Sequence, residues 1–175
     1  NKMAGLRMAF GRPRRELLSL ENASVIFSFN SDDLDKGPAM LRNARGFGSA
    51  RRMRSTNDEM CRVYTVESAY TPMGGMADHR YALAPSRVPA AVVELARLIA
   101  AQTGNAGDLG GALEAFDRSG EFPRDLLLML EAAAEDLVEA RGRAVVTAGQ
   151  DLPPEVHALV AAMNRMPGAV GNTVS

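Results

Sequence analysis

Three short runs of β-branched and aliphatic residues stand out from a mixed sequence: Ser24–Phe29 (SVIFSF), Arg62–Val66 (RVYTV) and Arg143–Ala148 (RAVVTA). Each has the length of a strand and lies between polar or glycine-containing segments. Each is nearly continuous in apolar residues, the pattern of a strand buried on both faces. The stretches between them carry helical spacing. Gly37–Arg54 follows the first strand, with Pro38 where an opening turn accepts it. In Arg87–Gln102, Val88, Val92, Leu95 and Ile99 fall on one helical face. Pro123–Arg141 is the longest predicted helix. Leu126, Leu127, Leu130, Ala134, Leu137 and Val138 form its apolar stripe, and Gly142 follows as a C-terminal stop. The last helix is Pro153–Arg165, with Asp151 before it and Pro154 in its first turn. Strands alternating with helices predict an α/β domain, a Rossmann-like parallel sheet flanked by helices. We find no internal repeat, and residues 1–175 read as one domain.

Composition narrows the class. With 46% hydrophobic and 23% charged residues, the 175-residue chain is no disordered tail and can bury a core. No apolar run approaches the roughly 20 residues that a membrane-spanning helix needs, and no charged start followed by an apolar stretch marks a signal peptide. The chain opens at Asn1 rather than Met, as a processed product or an excerpt would. Net charge is −1, but it is unevenly spread. Residues 1–54 hold eleven Lys and Arg, Arg14 among them, against five Asp and Glu; the remainder is acidic. A basic third of this kind faces an anionic ligand or an acidic partner, or forms solvated helix faces. The single cysteine, Cys61, excludes an internal disulfide, and without a CxxC pair the chain supplies no iron–sulfur or zinc cluster of its own. Cys61 precedes an apolar strand and is expected to be buried packing.

Parallel sheets bind ligands outside the carboxyl ends of their strands. The segments to watch are therefore Asn30–Asp35, Glu67–Asp78 and Gly149–Asp151. Neither histidine points to a metal. His157 lies inside a helix among apolar residues, and His79 has no second ligand at metal spacing. There is no GxSxG elbow and no GxGxxG after the first strand. The nearest glycine cluster, Gly46–Ala50, falls inside a predicted helix. Asp32, Asp33 and Asp35 either bind a cation or complement the helix dipole. The loop Tyr70–Asp78, with Pro72, Gly74 and Gly75, must turn tightly. It can hold a phosphate or a carboxylate on its backbone N–H groups, or pack against another subunit.

Beyond these signals lies a resemblance. Val63–Ile99 (VYTVESAYTPMGGMADHRYALAPSRVPAAVVELARLI) resembles the strand, Thr-containing loop, Ala-Asp, Pro-led turn and helix of the molybdopterin oxidoreductases. Arg143–Val174 is similar to that family's closing strand, helix and Asn-x-x-x-Gly-x-x-Gly ending, here Asn164, Gly168 and Gly171. Arg42–Arg52 (RNARGFGSARR) resembles its Arg-rich helix. Val66-Glu67-Ser68, Ala77-Asp78-His79-Arg80 and Pro153–Leu159 are closest to one branch, the molybdopterin-like half of the iron–sulfur B subunit of alternative complex III. The resemblance implies that residues 1–175 are one molybdopterin-oxidoreductase-like domain, a fragment of a larger subunit. It implies a non-catalytic scaffold in a membrane-associated, quinol-oxidising respiratory complex on the periplasmic side of the membrane. Its partners would be the other subunits, with quinol reached indirectly and no nucleic acid. Iron–sulfur clusters and haem would lie in neighbouring domains or subunits. Two departures bear on the cofactor. The Pro85–Val88 turn lacks the Asp that contacts the guanine end in cofactor-carrying members. The first loop reads Phe29-Asn30-Ser31-Asp32-Asp33 in place of Gly-x-Asn-Pro. The alternative implied by the resemblance is a molybdopterin guanine dinucleotide-binding domain, with Asn30, Thr71, Asp78, Arg80 and Gly149 lining the pocket. Neither reading assigns a catalytic residue or a metal ligand to this chain.

Overall fold

A computed structural model describes residues 1–12, 15–104, 113 and 121–175. Arg14 of the basic third lies outside these residues. So does most of the segment between the two central predicted helices. The elements are α1 (Lys2–Phe10), β1 (Val25–Phe29), α2 (Met40–Ala50), β2 (Arg62–Glu67), α3 (Pro72–Gly75), β3 (His79–Ala82), α4 (Val88–Thr103), α5 (Arg124–Glu139), β4 (Ala144–Ala148) and α6 (Pro154–Arg165). Short 3₁₀ turns at Leu20–Asn22 and Pro85–Arg87 lead into β1 and α4. The four strands form one all-parallel sheet in the order β3-β2-β1-β4. The predicted α/β class is the observed one.

The three predicted strands are present within a residue or so of their expected bounds, and β1 and β4 are buried along their whole length. Their apolar runs follow from that burial. The fourth strand, β3, was not expected. It is an edge strand of four largely exposed residues, so it lacks an apolar run to betray it. Helix α1 was not expected either. Its only buried residues are Gly5 and Leu6, too few to make a periodic stripe. The helix expected over Gly37–Arg54 is shorter. Gly37 has φ 87°, outside helical geometry, and the chain leaves the helix at Arg51.

Two apolar layers hold the sheet. On one face Phe27, Phe29, Tyr64, Val66 and Val146 pack against α4, α5 and α6. The expected stripes do this work: Val88, Val92, Leu95 and Ile99 are buried, as are Leu126, Leu130, Ala134 and Leu137, with Leu127 and Val138 half-buried. On the other face Ile26, Val63 and Val145 meet Leu20, Phe47, Met73 and the C-terminal Val174. Each fully buried Leu or Phe contributes about 2 kcal/mol by leaving water. Cys61 is buried as expected, and burial pushes its thiol up to about 12.

The sheet edges differ. At β4, Asn164 accepts from Val146 N and donates to Val146 O, both at 2.8 Å, standing in for a neighbouring strand. Thr173 Oγ1 donates to Ala144 O at 2.7 Å. Among the described residues the β3 edge has no such side-chain cover, and its shortness and charge blunt it.

Candidate functional site

At the β2–β3 side of the carboxyl end, Glu67 closes β2 and is fully buried. Three donors converge on its carboxylate. Arg80 Nε donates to Oε1 at 2.5 Å, Thr71 Oγ1 donates to Oε2 at 2.6 Å, and Thr71 N approaches both oxygens. Thr71 Oγ1 also accepts from Gly74 N at 3.1 Å, capping the single turn of α3. Gly74 packs so tightly against the Glu67 carboxylate that a Cβ there would overlap it. This is why the turn needs glycine at that position. The Arg80 guanidinium lies 4.7 Å from the Tyr70 ring centroid, a cation–π contact on its outer side. A buried carboxylate is tolerable only with this degree of pairing.

At the β1–β4 boundary the strand order reverses, and open α/β sheets bind ligands in the crevice at such a point. Here the chain's own groups fill it. Asn30 adopts φ 49°, and its Oδ1 accepts from Ser68 N at 2.7 Å and Ser68 Oγ at 3.1 Å. Gly149 N donates to Phe29 O at 2.8 Å, and a Cβ on Gly149 would overlap the Asn30 carbonyl. The Asp33 carboxylate accepts from Ser31 Oγ and Thr147 Oγ1, each at 2.5 Å. Asn43, in the first turns of α2, donates to Asp33 O at 3.0 Å. Helix α1 lies over this region through a Lys2–Glu16 ion pair of 2.5 Å. Burial opposes a charge on Lys2, but Glu16 and Asp33 outweigh it and hold the ammonium above its ordinary range. Beneath α1 a cavity of about 200 Å³ remains, bordered by Lys2, Asp33, Lys36, Asn43 and Gln150.

Across the sheet, Arg80, Thr65, Ser28 and Thr147 lie in register on one face. Thr147 is bonded to Asp33, and Arg80 to Glu67. Between them the Ser28 and Thr65 hydroxyls are fully buried and make no hydrogen bond among the described residues.

Of the five residues expected in a cofactor pocket, four lie at this end. Asn30 and Gly149 meet at the β1–β4 boundary, and Thr71 and Arg80 meet on Glu67. Asp78 does not join them. It sits at the amino end of β2, accepting from Val63 N at 2.8 Å and from Arg51 in a two-pronged pair at 2.6 and 2.9 Å. The hydrogen bond from Arg51 is the main cause holding its carboxyl below the usual range. Glu67, Asp33 and Thr147 organise the site; Asp33 was expected to bind a cation or complement the helix dipole, Glu67 was noted only as part of the Glu67–Asp78 segment and the Val66-Glu67-Ser68 run, and Thr147 was not singled out from the sequence. Glu67 carried a signal, since an acid ending an apolar strand must find a partner.

His157 is buried between α6 and α1, and His79 is exposed and stacks on Tyr64 at 4.7 Å. Among the described residues, no three His, Cys, Asp or Glu side chains gather as a metal site would require. The residues present do not fit the guanine dinucleotide. The Asn30–Gly149 contact brings the two strand ends together at the strand reversal, the Asp33 carboxylate occupies the hydroxyl donors there, and the cavity of about 200 Å³ that remains beside them is smaller than a dinucleotide site needs. A pyrophosphate would meet Asp32, Asp33 and Asp35. The chain matches no protein-family model and no curated protein.

Proposed function

We propose that this domain is a non-catalytic scaffold of a membrane-associated, quinol-oxidising respiratory complex, like the molybdopterin-like part of alternative complex III. One observation supports the reading beyond the motif resemblance: most of the polar groups at the carboxyl end of the sheet are bonded to one another. Asn30 packs on Gly149, Asp33 takes the Ser31 and Thr147 hydroxyls, and Glu67 takes Thr71 and Arg80. Groups that would recognise a dinucleotide are spent on one another, which supports a domain that keeps the fold without using it to bind the cofactor. Electrons would then pass through iron–sulfur or haem centres of neighbouring domains or subunits on the periplasmic side. No step of that transfer is assigned to a residue of this chain.

The test is native mass spectrometry of the gently purified assembly, with metal and pterin analysis of the same sample. The expected result is the chain inside a larger assembly that carries iron but neither molybdenum nor pterin. Molybdenum or tungsten with a pterin dinucleotide bound to this domain would overturn the reading, as would a chain found alone.

A further inference from the structure

A second concavity lies away from the sheet ends, in the trough between α1 and α6. It has a volume of about 330 Å³, within the range of small-molecule pockets. Its floor is apolar: Leu6 and Phe10 come from α1, Ala161 from α6, and Val174 from the C-terminal segment. The charge around it is one-sided. Arg12 and Arg15 border it, both exposed, and neither pairs with an acid among the described residues. Arg165 is a third cation close by, its guanidinium 5.2 Å from the Phe10 ring centroid. The one acidic side chain at the border, Glu16, is already neutralised by Lys2 at 2.5 Å.

An apolar trough excludes a purely ionic ligand, and Arg12 and Arg15, which pair with no acid among the described residues, favour an anion over a neutral one. An unbranched apolar chain ending in an oxyanion satisfies both. Its chain would displace water from Leu6, Phe10, Ala161 and Val174, and its carboxylate or phosphate would accept paired N–H bonds from an arginine fork. We propose that the α1–α6 trough binds an anionic amphiphile, with its chain along the apolar floor and its head at Arg12 and Arg15. The inference stands apart from the scaffold reading, since it uses none of the residues at the sheet ends.

The experiment is isothermal titration of the full chain with dodecanoate and with dodecyl phosphate, each below its micelle concentration. Dodecanol and inorganic phosphate serve as the chain-only and head-only probes. Saturable one-to-one binding of at least one anionic amphiphile is expected, with both control probes at least about tenfold weaker. Comparison of the two amphiphiles separates a fatty-acid-like ligand from a lipid-phosphate-like one. Arg15→Glu, at an exposed position, should weaken binding about tenfold and leave the urea midpoint unchanged. Ala161→Phe should fill the trough and abolish binding. If Ala161→Phe does not fold, Arg12→Glu replaces it, with a loss of similar size to that of Arg15→Glu. No saturable binding to the wild-type chain overturns the proposal. So does equal binding of dodecanol, or affinity unmoved by the arginine variants.

Discussion

On one face of the sheet, Phe27, Phe29, Tyr64, Val66 and Val146 meet α4, α5 and α6 in nearly unbroken hydrocarbon. On the other, the same strands carry Ser28, Thr65 and Thr147 in a row, with Glu67 and Asp33 at its two ends. Both faces are dry, yet they are held by different means. Apolar burial is non-directional and tolerates small shifts. The polar face needs every donor and acceptor placed, because an unpaired buried group costs free energy that no repacking recovers. The polar half lies at the carboxyl end, where this fold class keeps its ligand sites. Both faces bury hydrocarbon, but only the second also carries a buried polar row at its carboxyl end.

The largest effect should come from the apolar face. Leu130 is fully buried, and Leu130→Ala should lower unfolding free energy by about 3–4 kcal/mol in urea titrations. A loss below about 1 kcal/mol would mean that α5 does not anchor that face.

Nearly as large is an acid response at the α1–α6 contact, where one ring nitrogen of a buried histidine lacks a partner among the described residues. His157 is 3% exposed, its Nε2 has no partner among the described residues, and burial, helped by the nearby charge of Lys2, pulls its pKa down to about 4. The folded state therefore binds its proton later than the unfolded chain, in which histidine titrates near 6.5. The His157 contribution is intact above about pH 6.5 and is lost progressively down to pH 4, by about 3 kcal/mol. Denaturation curves from pH 7 to pH 4 should show this loss in the wild type, and His157→Gln should remove that share. Parallel pH profiles of the two proteins would contradict it.

Arg80→Ala should cost less, about 2 kcal/mol. It strands the buried Glu67, but two Thr71 bonds remain and the guanidinium was itself partly solvated. Its urea midpoint should fall between those of the wild type and Leu130→Ala.

The smallest changes discriminate best, because they should differ in kind. Thr147→Val removes a donor to Asp33 and should destabilise by about 1–2 kcal/mol. Thr65→Val removes a buried hydroxyl with no partner, so its midpoint should stay within about 0.5 kcal/mol of wild type or rise. Equal losses for the two would show that the Thr65 hydroxyl is bonded after all.

Some residues announced their place and others could not. Gly37 marked the start of the α2 region because only glycine adopts its φ without strain, but where the helix proper begins depends on the loop that Asp33 and Asn43 tie down. Strand β3 was hidden because an exposed edge has no reason to be apolar. Asp78 and Arg80 are two residues apart in the sequence, and nothing local says that one serves the amino end of the sheet and the other the carboxyl end. Asp78 stands just before β3 beside Val63, whereas Arg80 lies inside β3 opposite Thr65, so Asp78 meets Arg51 while Arg80 meets Glu67.

The sequence by itself determined the class of fold and the contents of the core. Continuous apolar runs can only be strands buried on both faces, and stripes such as Val88, Val92, Leu95 and Ile99 can only face a sheet or another helix. Tertiary structure alone decided which polar residues meet. Asp33 finds Thr147 across 114 positions, and Asn164 seals Val146 from a neighbouring helix. Apolar patterning is periodic because burial acts on whole faces. Hydrogen bonds join single atoms, and no spacing along the chain encodes a partner that only the fold brings near.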